Sequence, residues 1–327
     1  MNNDEMQAVI EELKKRDDFI ITAHVNPEGD SVGSQLAFFS ILKKIGKNAV
    51  MLSQDDVPDN LRFLAGSDLI RSAMPEGFRP AAAVVLDCPV IERVGVIQKY
   101  LEDRITVINV DHHVSNEMYG DVSWVEPKMS SVGEMAYHVF KNLGITIDSD
   151  AARAMYAAIV TDTGMFNYNN TSGGTHRVVG DLIDKGISPG LMHREIFEEK
   201  PMMQIKMLGK VLTSTQVEEN GLLAYVTLTR KMQEEDGVTN IATDEFINYP
   251  RSIKGVAVAV FFKEGVNDGS QVSVSFRSNG RINVNEVAAG FGGGGHKNAA
   301  GCLMYCDLAE ATRKVLDEVK RFIREKI

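Results

Sequence analysis

Three short apolar runs in the first half of this chain each lead directly into acid or histidine. Phe19–Ala23 is followed by His24-Val25-Asn26-Pro27-Glu28-Gly29-Asp30, Ala81–Leu86 by Asp87, and Ile105–Val110 by Asp111-His112-His113. A fourth run, Asn48–Leu52, has the same apolar character. Between them lie stretches with helical spacing, such as Ser31–Ile45, where Val32, Leu36, Phe39 and Leu42 recur and Gly46 follows. Short, nearly all-apolar strands separated by helices predict an α/β fold. Its sheet is doubly wound, mainly parallel and covered on both faces. In such a sheet the carboxyl ends of the strands share one edge, and ligands bind there. The helix expected to end near Val160 runs into Thr161-Asp162-Thr163-Gly164 and adds a fourth acidic segment to that edge.

Other helices are expected over Met6–Lys15, from Ser131 to Leu143 behind the capping-box pattern Ser131-Val132-Gly133-Glu134, and over about 150–160 and 175–184. Read alone, Asp30 is an N-cap for the helix from Ser31. The pattern changes after about Gly186. Strands Val211–Val217 and Leu222–Thr229 flank Glu219-Asn220-Gly221, and Val256–Lys263 and Gln271–Arg277 flank Asn267-Asp268-Gly269. Both groups read as hairpins. A C-terminal helix spans about Leu308–Arg324. The expected organisation is 1–190 for the first domain, 191–210 for a linker helix and 211–327 for a smaller second α/β domain.

Carboxylates crowded at one edge repel one another and lose hydration. Divalent cations remove both penalties, and mixed imidazole and carboxylate donors suit Mn²⁺, Fe²⁺ or Zn²⁺. The number of donors suggests two ions, which can activate one shared water and clamp a phosphoryl group for in-line attack. His138 and His193 fall inside helical patterns and receive no role, His176 lies at a helix start, and Cys88 reads as a small core residue.

Net charge is −10, from 35 basic and 45 acidic residues, which argues against wrapping long nucleic acid through a basic surface. Three cysteines without a C-x-x-C pair fit a reducing compartment. No signal-peptide core and no apolar run of about 18 residues is present, so a cytoplasmic protein without membrane contact is expected.

The strongest signal in the second half is Gly290-Phe291-Gly292-Gly293-Gly294-Gly295-His296-Lys297-Asn298-Ala299-Ala300-Gly301. Successive glycines permit close approach of a ligand and can aim N–H groups at an anion, so phosphate or nucleotide binding is expected. No G-K-[ST] follows, which excludes a Walker A loop. Arg277, closing a strand, suits a bidentate phosphate contact.

Together, H-x-x-P-[DE]-x-D at His24–Asp30, the strand-ending Asp87, Asp111-His112-His113, Asp162 and G-G-G-H-x-x-A-A-G at 293–301 resemble the DHH–DHHA1 phosphoesterase superfamily over nearly the whole chain. Within it the chain resembles the nanoRNase branch, whose members also act on 3′-phosphoadenosine 5′-phosphate (pAp). The resemblance implies two Mn²⁺ ions, with Mg²⁺, Fe²⁺ or Co²⁺ as substitutes. One would be held by His24, Glu28 and Asp87, and the other by Asp30, Asp87, His112 and Asp162, with Asp87 bridging. It further implies that His113 contacts the scissile phosphate or protonates the leaving oxygen. Arg277, Gly293, Gly294, Gly295 and His296 would hold the nucleotide's other phosphate, with the active-site cleft between the two domains. Substrates would be short RNA, pAp or dinucleotides, and the assembly a homodimer. Glu28 departs from the Asp usual in the family and lengthens that ligand by one methylene. Rivals are a cyclic- or linear-dinucleotide phosphodiesterase, an inorganic pyrophosphatase disfavoured by the glycine-run domain, and a nucleotide-binding protein whose metal site Glu28 has impaired.

Overall fold

Phe19–Ala23 (β1) is buried at every residue, and its side chains divide between two apolar layers. Phe19, Ile21 and Ala23 enter one layer and Ile20 the other, as the two-residue period of a strand requires. Both faces of the sheet therefore need cover. The computed structural model describes residues 3–101, 105–198, 200–235, 243, 245–265 and 271–327. Its two units are Met1–Glu199 and Lys200–Ile327.

In the first unit, β1 is joined by β2 (Ala49–Leu52), β3 (Ile70–Arg71), β4 (Ala82–Leu86), β5 (Thr106–Asp111) and β6 (Val122–Val125). The order is β3-β2-β1-β4-β5-β6 and every pair is parallel. The chain changes its direction of winding between β1 and β4, which opens a crevice at their carboxyl ends. One face is covered by α1 (Asn3–Lys15), α2 (Gly29–Lys44), α3 (Val132–Leu143) and α4 (Ser149–Asp162), and α5 (Gly173–Ile183) adds to that layer. Tight 3-10 turns over Ile91–Tyr100 cover the other face through Val94 and Ile97. The expected doubly wound α/β sheet is present. β3 and β6 were not foreseen. In β6 the sequence V-S-W-V buries Trp124 completely and leaves both valines half-buried, at the edge of the sheet.

Small residues draw three helices together at the crevice. A Cβ on Gly33 of α2 would lie 2.3 Å from the Ala154 carbonyl oxygen of α4. One on Gly133 of α3 would lie 2.3 Å from the Ala158 methyl. α2 also begins at Gly29, not Ser31, so Asp30 sits inside its first turn and does not cap it. A short helix α6 (Pro189–His193), continued by one π-helical turn over Arg194–Glu198, closes the unit's regular structure.

The second unit has β7 (Gln216–Glu218), β8 (Leu223–Leu228), β9 (Val258–Glu264), β10 (Val272–Ser278), β11 (Gly294–His296) and β12 (Ala299–Met304). They form one sheet in the order β11-β12-β10-β9-β8-β7, antiparallel except for β8 with β9. Its helices are α7 (Met202–Thr213), α8 (Arg230–Glu235), α9 (Asn248–Arg251), α10 (Val284–Ala289) and α11 (Leu308–Lys326). α11 covers one face through Ala311, Val315, Val319 and Ile323.

The strand expected over Val211–Val217 begins as helix, because α7 runs to Thr213, and only Gln216–Glu218 is extended. Met207 and Val211 lie one helical turn apart, and both bury against the cluster containing Val226, Phe246 and Phe261. Glu219-Asn220-Gly221 makes the hairpin turn, with φ of 48°, 54° and 91°. β9 and β10 pair as the second hairpin, while its turn at Asn267-Asp268-Gly269 lies outside the described residues. Among the described residues no helix is long and apolar enough to cross a membrane.

Candidate active site

The backbone turns sharply at the end of β4. Asp87 has φ 51°, a left-handed conformation rare outside glycine, and its N–H donates to the Val110 carbonyl at 3.1 Å. This bend sends the Asp87 side chain into the crevice, where 2% of it is exposed. His24, just beyond β1, lies beside it with Nε2 3.3 Å from Asp87 Oδ2. The other ring nitrogen, Nδ1, is 2.7 Å from the Val25 carbonyl. A carbonyl only accepts, so Nδ1 carries the proton and Nε2 keeps its lone pair for the crevice. Glu28 precedes α2 and brings Oε1 to 3.9 Å from His24 Nε2; its side chain is 66% exposed.

The opposite side of Asp87 meets His112. Its Nε2 lies 3.5 Å from Asp87 Oδ1, 3.5 Å from Asp162 Oδ2 and 3.8 Å from Asp30 Oδ2. Nδ1 of His112 is directed at the Met129 carbonyl at 3.3 Å, which again leaves Nε2 facing the carboxylates. Asp30 is wholly buried and accepts from the Val132 and Gly133 N–H groups at 2.8 and 2.9 Å. It thus caps the start of α3, a helix about a hundred residues further on. The reciprocal capping box expected there forms only in part. Ser131 accepts from Glu134 N–H, but the Glu134 carboxylate accepts from Ser130 and Thr175. Asn170 donates to Asp162 Oδ2 at 3.1 Å and to the Ser130 carbonyl at 3.0 Å.

The donor set has the chemistry of a divalent-metal centre. Asp87 Oδ1 and His112 Nε2 are buried and have no hydrogen-bond partner, an arrangement that costs a folded protein free energy unless something else satisfies them. Two ligands about 2.1 Å from one ion lie about 3.0 Å apart at a right angle and about 3.4 Å apart at the tetrahedral angle. The separations here, 3.3 to 3.9 Å, are those of donors ready to contract slightly onto ions. His24, Glu28 and Asp87 form one group that could hold a metal; Asp87, Asp111, His112 and His113 form another. Asp111, however, is committed elsewhere. Its Oδ1 accepts from His112 N–H at 2.7 Å, His113 N–H at 3.2 Å and His113 Nδ1 at 2.7 Å, and its Oδ2 accepts from Asn116 at 2.6 Å. Asp30 and Asp162 are better placed to complete the His112 side.

Charge crowding is visible in the proton affinities. Burial, with Asp87 next in strength, holds Asp30 well above the carboxylate range. Burial pushes Asp162 up to about 7. For His24 and His112, burial opposes protonation but the neighbouring carboxylates outweigh it, and both are raised. Asp87 is held low because its histidine partners outweigh its burial. Every raised group binds its proton more tightly in the folded chain than in the unfolded one. Its contribution is present below the unfolded pKa and is lost as pH rises through the folded value. The lowered carboxylates lose theirs only in acid. In chelator, thermal unfolding should therefore shift down by several degrees between about pH 6 and about pH 8.5, and a divalent cation should abolish the shift. A chelated chain equally stable across that interval would contradict this electrostatic picture.

In the second unit, strand register relates the expected phosphate contacts. His296 pairs with Ala299, Ala299 with Arg277 and Arg277 with Ala259. Directly paired residues project on one face, so Arg277 and His296 share a face with the small Ala299 between them. The glycine run turns at Gly292 and enters the edge strand β11 at Gly294. A Cβ on Gly293 would strike the Gly301 carbonyl oxygen at 2.2 Å, and one on Gly295 the Ala299 carbonyl oxygen at 2.5 Å. Close packing on β12 thus demands two of the four glycines. His176 stacks on Phe166, His193 pairs with Glu198 at 3.2 Å, and Cys88 is buried.

Sequence reasoning named the motif Asp111 without giving it a task and passed over Asn116 and Asn170. Asn116 lies three residues beyond His113, near enough to have been noticed. The bonds from α3 to Asp30 carried no local signal.

A DHH family N-terminal domain model matches residues 18–159, and a DHHA1 domain model matches residues 219–325. The bifunctional oligoribonuclease and PAP phosphatase NrnA of Thermus thermophilus is 31% identical over 320 residues, spanning 97% of this chain and 94% of that protein. The chain belongs to the DHH–DHHA1 phosphoesterase family. The Bacillus subtilis protein of the same name is 29% identical over 300 residues, 91% of this chain and 92% of that one. A crystal structure of an exopolyphosphatase-related protein from Bacteroides fragilis shares the fold. Its TM-score is 0.90 at 24% identity, over 98% of this chain and 96% of that one. Membership makes the chain a hydrolase of phosphate esters and gives the crevice a reaction class.

Proposed function

We propose that this chain releases 5′-mononucleotides from RNA of a few residues and dephosphorylates pAp, with two Mn²⁺ ions in the first unit. The observation that carries this reading is the Asp87 carboxylate, which faces His24 with one oxygen and His112 with the other, the second being buried without a partner. His24, Glu28 and Asp87 would hold one ion; Asp30, Asp87, His112 and Asp162 would hold the other. When bound, such ions polarise phosphoryl oxygens and lower the pKa of water.

The chain's own residues supply the rest. The Val25 and Met129 carbonyls fix the two histidine tautomers, and the α3 amides fix Asp30. Water adds across the bond between phosphorus and the 3′-oxygen. The new P–O bond forms as the P–O3′ bond breaks, and His113 gives its proton to O3′. A proton from the water then restores the imidazole. Arg277, the Gly293–Gly295 backbone and His296 would hold the nucleotide's other phosphate. Support for these substrates comes from the two NrnA relatives, whose names record oligoribonuclease and PAP phosphatase activity. The net charge of −10 also fits recognition of small anions at a local site.

A second reading follows from Glu28, whose exposure and 3.9 Å separation from His24 make it the loosest member of the set. On that reading the chain binds nucleotides without turning them over. Mononucleotide release from 5′-phosphorylated RNA of two to seven residues, beside pAp and a cyclic dinucleotide, in Mn²⁺ and in chelator, separates the two. Mn²⁺-dependent cleavage of the shortest RNAs and of pAp is expected. Preference for the cyclic dinucleotide would redirect the substrate assignment. Binding of pAp without hydrolysis would favour the binding protein, and Glu28→Asp would then be expected to restore turnover.

A further inference from the structure

Beyond the ligand set, a polar network runs behind His113. His113 Nδ1 lies 2.7 Å from Asp111 Oδ1, and Asp111 Oδ2 accepts from Asn116 Nδ2 at 2.6 Å. Asn116 Nδ2 also donates to Asn109 Oδ1 at 2.9 Å. Asn109 Nδ2 in turn donates to the Tyr119 hydroxyl at 3.0 Å and to the Val85 carbonyl at 3.2 Å. The Tyr119 hydroxyl donates to the Cys88 carbonyl at 2.9 Å. Asn116 Oδ1 accepts from the Met118 N–H at 2.7 Å, which fixes which way its amide faces. Met118 takes a left-handed φ of 54°, a conformation that sharpens this turn.

The chemistry of this arrangement is specific. Asn116 Nδ2 has three acceptors within reach, with the Cys88 carbonyl at 3.3 Å the most distant; the two shortest take its two hydrogens, and the bond to the ionised Asp111 is charge-assisted, short and directional. Asp111 is thereby held with its other oxygen against the imidazole, so His113 keeps Nδ1 protonated and Nε2 becomes the nitrogen that exchanges a proton. Asn109, on β5, the Val85 carbonyl of β4 and the Cys88 carbonyl just beyond it root the network in the sheet. We infer that Asn116 is a positioning residue for proton transfer to the leaving oxygen, acting through Asp111 on His113. The inference rests on the phosphoesterase reading and deepens it.

The test is a double-mutant cycle with the full chain and a 5′-phosphorylated dinucleotide in Mn²⁺. Asn116→Ala should lower kcat by about 10–100-fold, the usual effect of removing an outer partner of a reacting group, with KM within about twofold. Combined with His113→Ala, it should add no more than about threefold, because its route to the chemistry is already gone. Mn²⁺ affinity should stay unchanged. Should Asn116→Ala fail to fold, Asn116→Ser serves in the same cycle. Multiplicative losses, or Asn116→Ala within about threefold of the parent, would overturn the inference while leaving the phosphoesterase reading intact. A parent chain with no hydrolysis in Mn²⁺ would defeat that reading itself.

Discussion

An Asp87→Ala chain should hydrolyse short RNA and pAp roughly 10³-fold more slowly or worse, with Mn²⁺ affinity lost at both positions. Removing even one hydrogen-bond donor to a developing charge costs about 10²–10³-fold in other enzymes, and on the proposed assignment Asp87 would serve two ions at once. The fold itself should survive. Asp87 lies past the end of β4, and although its left-handed φ of 51° suits aspartate better than alanine, the pairing of β4 with β1 and β5 does not use its side chain. Its loss also removes a charge that raises Asp30 and Asp162. Activity assayed beside thermal unfolding in chelator separates lost chemistry from lost structure. Turnover retained within about tenfold would contradict the assignment of Asp87 as the shared ligand.

Asp162→Asn should move activity and metal-free stability in opposite directions. Burial holds the Asp162 carboxyl at about 7, so at about pH 8 the folded chain must ionise it against Asp87 and Glu28. Asparagine has the same shape and no charge, and its carbonyl can keep the bond donated by Asn170, 3.1 Å away in the parent. In chelator at about pH 8, relief of a few kcal/mol corresponds to a rise in Tm of several degrees. With Mn²⁺ the order should reverse, because on the proposed assignment the parent would gain the binding energy of a second ion and the variant would not. Turnover should fall by about 10²–10³-fold. If the variant is less stable than the parent in chelator, repulsion among these carboxylates is not what the metal relieves.

The sheet and most of the centre could be read from the chain because both are written in local patterns. β1, β4 and β5 are continuous apolar runs, and the residues that follow each of them are the ones that meet in the crevice. Topology did the rest, since parallel strands must share a carboxyl edge. What escaped depends on partners distant in sequence. Val211 lies among β-branched and small residues that suggest a strand, yet its burial with Met207 against Phe246 and Phe261 makes that stretch helical. Asp30 looked like a cap for the helix it begins and instead caps α3, where Gly33 and Gly133 let the helices approach within reach. The glycine run suggested a phosphate nest, while the packing of Gly293 and Gly295 on β12 gives two of those glycines a structural cause as well.

The central claim is a pair of metal ions sharing Asp87, and manganese anomalous scattering from crystals of the full chain measures it directly. Two peaks are expected about 3.5–4 Å apart. One should be bounded by His24, Glu28 and Asp87, and the other by Asp30, Asp87, His112 and Asp162. A single peak, or two peaks that do not both contact Asp87, would contradict the account.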